Sequence, residues 1–266
     1  MVEIKVLNNF AEVSYKQNQK VIKKLVGISE IPALFDVKTV FDSGIMPVFG
    51  TQNAFGVQRI IQNDTGLIIL VQAMNPFANV KHTEYRTLSE GQKEKLGISH
   101  ISLDPDSYVK DEDDYAVYKN VYFPNLLMSL HLKQGTNGYT LGSSGILGFK
   151  EAFITDQTQL YDLPYSNLYR NGTHGGICWG STELKIQSIA QSVSAIHSFL
   201  GSTMNTDLFD SFDINDMEIE CSSQLLAYLA MRGTAGELMS FPYDEIHLEP
   251  LIKYNGLISY LKGQWK

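Results

Sequence analysis

The chain has 266 residues, 44% of them hydrophobic and 19% charged, with a formal net charge of −8. That is enough apolar material for a packed core, too little charge for a disordered chain, and the wrong sign for a protein whose main partner is a nucleic-acid backbone. No apolar run reaches the roughly 18 residues that a membrane helix needs. The start, Met1-Val2-Glu3-Ile4-Lys5, lacks the basic-then-apolar order of a secretory signal, and two cysteines exclude a disulfide framework or a thiolate-built zinc site. The composition therefore predicts a cytoplasmic globular protein of one large domain or two small ones.

Residues 21–26 (Val-Ile-Lys-Lys-Leu-Val) suit either a short helix or an edge strand. Two β-rich runs, Gly56–Gln62 and Gly66–Gln72, flank Asn63-Asp64-Thr65 and predict a hairpin. Between Leu103 and Tyr115, six carboxylates face the single Lys110, and Pro105 interrupts the run. This stretch reads as a solvated linker and places a boundary near residue 115. The runs 120–123, 126–132, 139–141 and 146–154, separated by Gly/Asn punctuation, predict an antiparallel meander. A loop-rich segment, 163–181, follows. Residues 183–200 then carry Ile186, Ile189, Ala190, Val193, Ile196 and Leu200 at helical spacing, stopped by Gly201. Gln224–Met231 reads as another helix. Meander, loop and helix in that order predict an α+β fold.

The loop combines Cys178 with Asn167, Asn171, His174 and several glycines, just ahead of the predicted helix. A helix N-terminus favours a thiolate, and glycines let backbone N–H groups face a reacting centre. The plain alternative is a small buried cysteine in a flexible loop. Cys221, between carboxylates in Glu218-Ile219-Glu220-Cys221, reads as structural.

Pro164-Tyr165-Ser166-Asn167, followed by Gly175-Gly176-Ile177-Cys178-Trp179-Gly180-Ser181, resembles the active-site loop of ubiquitin-conjugating enzymes. That loop reads His-Pro-Asn, a few residues, Gly, any residue, an aliphatic residue and Cys. The closer likeness is to prokaryotic E2 family D, which includes the PRTRC system protein B type. Phe123-Pro124-Asn125-Leu126 upstream, and Phe199-Leu200-Gly201-Ser202 with Thr206-Asp207-Leu208 downstream, are similar too, so the resemblance covers about residues 116–212. Here Ser166 stands where the eukaryotic motif has proline, no histidine precedes it, and the Asn-to-Cys interval is longer.

The resemblance implies a conjugating-enzyme (UBC-like) core over residues 116–266, an antiparallel meander flanked by helices, with residues 1–115 as a β-rich extension. Cys178 would carry a ubiquitin-like protein as a thioester, received from an activating enzyme and passed to an amine or hydroxyl acceptor. Asn167 is the first candidate to stabilise the tetrahedral intermediate and Asn171 the second. His174 is a candidate base for the acceptor, against the plainer reading of an exposed loop histidine. Trp179 packs beside the loop or faces a partner. By analogy, the partners are a ubiquitin-like protein, its activating enzyme and a metal-dependent deconjugating peptidase encoded in the same bacterial operon, in a setting such as defence against phage. No nucleic acid, membrane or cofactor is expected.

Two other readings stay open. A catalytically silent E2-like adaptor would bind the ubiquitin-like protein without a thioester. A Cys-His hydrolase would use His197 or His247; the papain pattern itself is excluded, since its histidine comes roughly 130–150 residues after the cysteine and too few residues follow Cys178. His82 and His100 stand apart, no His-x-x-x-His or Cys-x-x-Cys spacing occurs, and no phosphate-binding or dinucleotide fingerprint is present. After Cys178 the chain holds five Lys/Arg against eleven Asp/Glu, which suits a protein partner.

Overall fold

The computed structural model describes residues 2–7, 10–17, 20–27, 41–46, 54–62, 66–86, 88–101, 108–110, 115–135, 138–169, 175–180, 184, 186, 189–251, 254 and 256–264. The chain forms two compact units, residues 1–41 with 62–65 and residues 42–61 with 66–266. In the first, β1 (Val2–Leu7), β2 (Phe10–Gln17) and β3 (Lys20–Gly27) make an antiparallel sheet in that order. The 21–26 run is thus a strand.

The second unit is mixed α+β. Its early elements are β4 (Phe41–Asp42), β5 (Ala54–Gln62), β6 (Gly66–Met74), β7 (Phe77–His82), α1 (Glu90–Lys95), β8 (Tyr108–Lys110) and β9 (Ala116–Tyr122). After these come β10 (Asn125–Gly135), β11 (Gly138–Phe149), β12 (Leu168–Tyr169), β13 (Gly176–Ile177) and α2 (Val193–Leu200). The chain ends with β14 (Phe212–Ile214), β15 (Met217–Ile219), α3 (Ser222–Thr234) and α4 (Leu257–Gln264). A seven-stranded sheet runs β12-β13-β11-β10-β6-β5-β4, and a three-stranded antiparallel sheet runs β7-β9-β8.

Every residue of β6 is buried, so both faces of the large sheet are covered, and side-chain alternation divides them. Leu67, Ile69, Val71 and Ala73 join Leu126, Met128 and Leu130 of β10 in one core, closed by Ile196 and Phe199 of α2 and by α3. Ile68, Leu70 and Met74 join Leu127, Leu147 and Phe149 in the other, closed by Leu257, Tyr260 and Leu261 of α4. Residues 222–231 of α3 are all buried. The helix lies so close to β9 that a Cβ on Gly233 would sit 2.2 Å from the Asn120 carbonyl oxygen, so only glycine fits there. On the second face, buried Arg59 bridges Asp42 at 2.6 Å and Asp156 at 2.8 Å, tying β5 to β4 and to the loop after β11.

The two runs of the expected hairpin are the neighbouring strands β5 and β6, with residues 63–65 between them outside the described residues, and the predicted 224–231 helix is present as α3. The meander differs in two ways. The runs 139–141 and 146–149 form one strand, because residues 143–145 pair with β10 instead of turning, and Gly142 is the extra residue at the register shift between His131 and Leu132. The other partner of β10 is β6, while the 120–123 run belongs to β9 in the smaller sheet. Strands on either side of residue 115 therefore share both sheets, through β6 with β10 and through β7 and β8 with β9. Most of the acidic 103–115 segment lies outside the described residues.

Buried His82, at the end of β7, links that strand to the start of α3. The Glu84 N–H donates to Nδ1 at 2.9 Å, which leaves the proton on Nε2 to donate to Ser222 Oγ at 2.7 Å. Ser222 Oγ then donates to the Asn205 carbonyl at 2.8 Å. Burial holds the imidazole below its ordinary titration range, because the charged form would lose its hydration. Above about pH 6.5 the ring is neutral in both folded and unfolded chains and adds no pH dependence. As the pH falls below that value, the unfolded chain takes up a proton that the folded site resists, and stability drops toward the lowered folded value. We predict that the urea midpoint falls between pH 7 and pH 5.5, and that His82→Gln lowers the midpoint at pH 7 while flattening this part of its pH dependence.

Candidate functional site

The loop motif is closed by a short hairpin. Leu168 pairs with Ile177 and Tyr169 with Gly176, and the ladder continues one step as the Cys178 N–H donates to the Asn167 carbonyl at 2.8 Å. The two ends of the motif, separated in sequence, are thus adjacent across two strands. Leu168 and Ile177 point into the first core and anchor the hairpin. Gly176 pairs with Gly145 of β11 and joins the hairpin to the edge of the large sheet. Beside it, Gly175 has φ +52°, and its carbonyl accepts the Ile146 N–H at 2.9 Å. A Cβ at Gly175 would lie 2.2 Å from the Ile146 carbonyl oxygen, so this strand approach requires glycine.

Cys178 is half-buried at this edge, and Cys221 is buried at 3% exposure with Sγ 3.2 Å from Ser223 Oγ. Asn167 is left-handed at φ +65°, and its Nδ2 donates to the Thr203 carbonyl at 2.9 Å. That bond ties the loop to the segment after α2 and uses one of the two N–H donors of the amide. Trp179 packs partly against the first core, with Nε1 donating to Ser144 Oγ at 2.7 Å. Asn171 and His174 lie outside the described residues.

The expected helix immediately after Cys178 is shorter and later. Leu184 and Ile186 are not helical, Ala190–Ser192 forms a 3-10 turn and α2 begins at Val193. Ile186 is buried outside any helix, and Ile189 is exposed. A helix dipole therefore does not act on Cys178; the cysteine that stands at a helix start is buried Cys221, before α3. Among the described residues no hydrogen bond joins Cys178 to His197 or His247. His197 stacks on Phe55 with ring centroids 4.3 Å apart, and exposed His247 lines a separate cavity of about 230 Å³ with Pro164. No group of three or more His, Cys, Asp or Glu among the described residues is placed to hold a metal ion. Likewise, none of their helices is long and apolar enough to cross a membrane.

A second cavity, of about 130 Å³, opens where the hairpin meets the sheet. Gly145 and Gly176 form part of its wall, and Ser129, His131, Ser143 and Tyr260 supply its polar side chains. Sequence reading passed over His131. The available signal was the alternation Met128-Ser129-Leu130-His131-Leu132, which puts Ser129 and His131 on one face of a strand and the aliphatic residues on the other.

No family model, curated protein or solved structure matches the chain.

Two outcomes test the site geometry. Iodoacetamide applied to the native protein modifies Cys178 and spares Cys221, read by peptide mass spectrometry. Gly175→Ala must both adopt a left-handed backbone, which costs on the order of 1–3 kcal/mol, and displace a strand carbonyl. It therefore lowers the thermal midpoint well beyond Gly180→Ala, where the backbone is also left-handed (φ +57°) but nothing lies within 4 Å of the added Cβ.

Proposed function

We propose that the chain is an E2-like conjugating enzyme that carries a ubiquitin-like protein as a thioester on Cys178 and passes it to an acceptor. The observation that carries this reading is the 2.8 Å bond from the Cys178 N–H to the Asn167 carbonyl. It brings together the two residues that the loop motif separates, at the edge of an antiparallel sheet, with the thiol half-exposed. The order of sheet, hairpin and helix agrees with a UBC-like core, in which β5, β6, β10 and β11 would be the meander and residues 75–124 an insertion within it.

In the first step Cys178 Sγ attacks the acyl carbon of the donor thioester, and the activating enzyme's thiol leaves with the electron pair. In the second, the acceptor attacks the same carbon and the Cys178 sulfur leaves. Both steps pass through an oxyanion that needs fixed donors. The bond from Asn167 Nδ2 to Thr203 holds the carboxamide in place, and its second N–H is the candidate donor. The Cys178 N–H is already committed to Asn167 and does not serve. The acidic balance of residues 179–266 provides a surface suited to a basic face on a protein partner.

Incubation with a candidate bacterial activating enzyme, ATP and its ubiquitin-like protein tests the reading. An adduct cleaved by thiol forms on the wild type and is lost in Cys178→Ala. An adduct that persists in the variant, or wild-type binding without any thioester, overturns the proposal; the latter leaves an adaptor.

A further inference from the structure

The cavity beside the hairpin lies in register with Cys178. Gly176 pairs with Gly145, so two residues further along antiparallel strands Cys178 comes opposite Ser143, and Ser143 is in turn the partner of His131 across β10. His131, Ser143 and Cys178 thus form a row across three adjacent strands. At the usual strand spacing this row spans about 10 Å between its end backbones. Alternation sets the faces: Ile177 and Trp179 pack on the first core, which leaves Gly176 and Cys178 on the opposite side. That is the side of Ser129, His131 and Tyr260, the last of which packs there from α4. The imidazole therefore lines a cavity of about 130 Å³, room for one small group, and Cys178 follows directly on Gly176-Ile177 at its rim strand, opposite the lining residue Ser143.

The chemistry of the wall selects that group. Ser129 Oγ and Tyr260 OH lie 3.1 Å apart, and Ser143 adds a further hydroxyl. No carboxylate is among the described residues lining the cavity. An ammonium group entering it would lose hydration without a countercharge, whereas a neutral hydroxyl would exchange water for hydroxyl partners. A neutral amine attacks a thioester unaided, but an alcohol must give up a proton as it attacks, and imidazole is the side chain suited to take one near neutral pH.

We propose that this cavity receives an acceptor hydroxyl, such as a serine side chain, and that His131 is its general base. The inference rests on Cys178 being the acyl carrier. The imidazole takes the hydroxyl proton while the oxygen bonds to the acyl carbon; the carbon–sulfur bond then breaks, the sulfur keeps the electron pair, and the imidazolium returns the proton to it. The products are an oxyester and the free Cys178 thiol.

The test uses the full chain and a synthetic acyl donor, a short peptide ending in Gly-Gly as its mercaptoethanesulfonate thioester. Loading on Cys178 is followed by intact mass, and the isolated loaded protein is then discharged with N-acetylserinamide or N-acetyllysinamide. Rates are expressed relative to discharge by hydroxylamine, which needs no base. The wild type transfers to serinamide faster than to lysinamide at pH 7, giving a product stable to thiol and cleaved by mild base. In His131→Gln the relative serinamide rate falls about 100-fold, within the range of general-base contributions. Ser143→Val, which narrows the cavity and keeps the imidazole, raises the serinamide concentration needed for half-maximal rate and carries the test if His131→Gln does not fold. Wild-type protein that never loads overturns the conjugating reading and this inference together. Loaded protein that prefers lysinamide, discharges only to water, or discharges at the wild-type relative rate in both variants overturns this inference alone.

Discussion

Burial of β6 on both faces is the constraint from which the rest of the second unit follows. Gly66-Leu67-Ile68-Ile69-Leu70-Val71 has no polar side, so neither face of its sheet can be left to water. Each aliphatic side chain buried there is worth about 1.5–3 kcal/mol, and alternation sends half of them each way. One face is closed by α2 and α3, the other by α4 and the turns before it. A two-sided sheet also needs its strands paired, and β10 is the strand long enough to lie along β6 on one side and β11 on the other. The chain therefore leaves β6, builds the smaller sheet from β7, β8 and β9, and returns to the larger one.

The candidate site sits where this arrangement runs out of strand. At the outer side of β11 the two-residue β13 pairs through Gly145 and Gly176, and Tyr161 bridges Gly148 further along. So short a strand, flanked on its outer side by the two-residue β12, leaves the residue after it on a fixed backbone, and that residue is the half-buried Cys178. Rigid scaffold beneath and loop above is the usual placement of reactive groups. Asn167 is held from two directions, by its carbonyl to Cys178 and by its amide to Thr203, so the loop is coupled to the end of α2 as well as to the sheet.

Elements whose signal is local were legible in the sequence. The β5–β6 hairpin was visible from two aliphatic runs around Asn63-Asp64-Thr65, and α3 from a continuous apolar stretch. Cys178 was singled out by loop composition, and the hairpin brings its backbone N–H to the Asn167 carbonyl across an interval longer than that of the eukaryotic motif. What misled was non-local. Glycines at 142 and 145 read as a turn, yet β10 extends past them and pairing outweighs the preference of Gly-Ser-Ser-Gly. Ile186 and Ile189 keep helical spacing, but Ile186 is buried outside any helix. The row from His131 through Ser143 to Cys178 depends on which strands are neighbours, and no window of sequence contains all three.

With the helix start at Val193, the reactivity of Cys178 has to come from its immediate surroundings. A thiol at a helix N-terminus gains from the partial positive charge there; one at a sheet edge does not, because strand dipoles largely cancel. In the proposed conjugation such a cysteine would rely on what the reacting partners bring: a thioester exchanged for a thioester is nearly balanced in energy, and loading would need position more than an activated nucleophile. The demand for proton transfer would then shift to the proposed second step, where the acceptor is activated. That division places the decisive titrating group on the acceptor's side of the sulfur, which is the side of β10 and the cavity rather than the side of Trp179 and the first core.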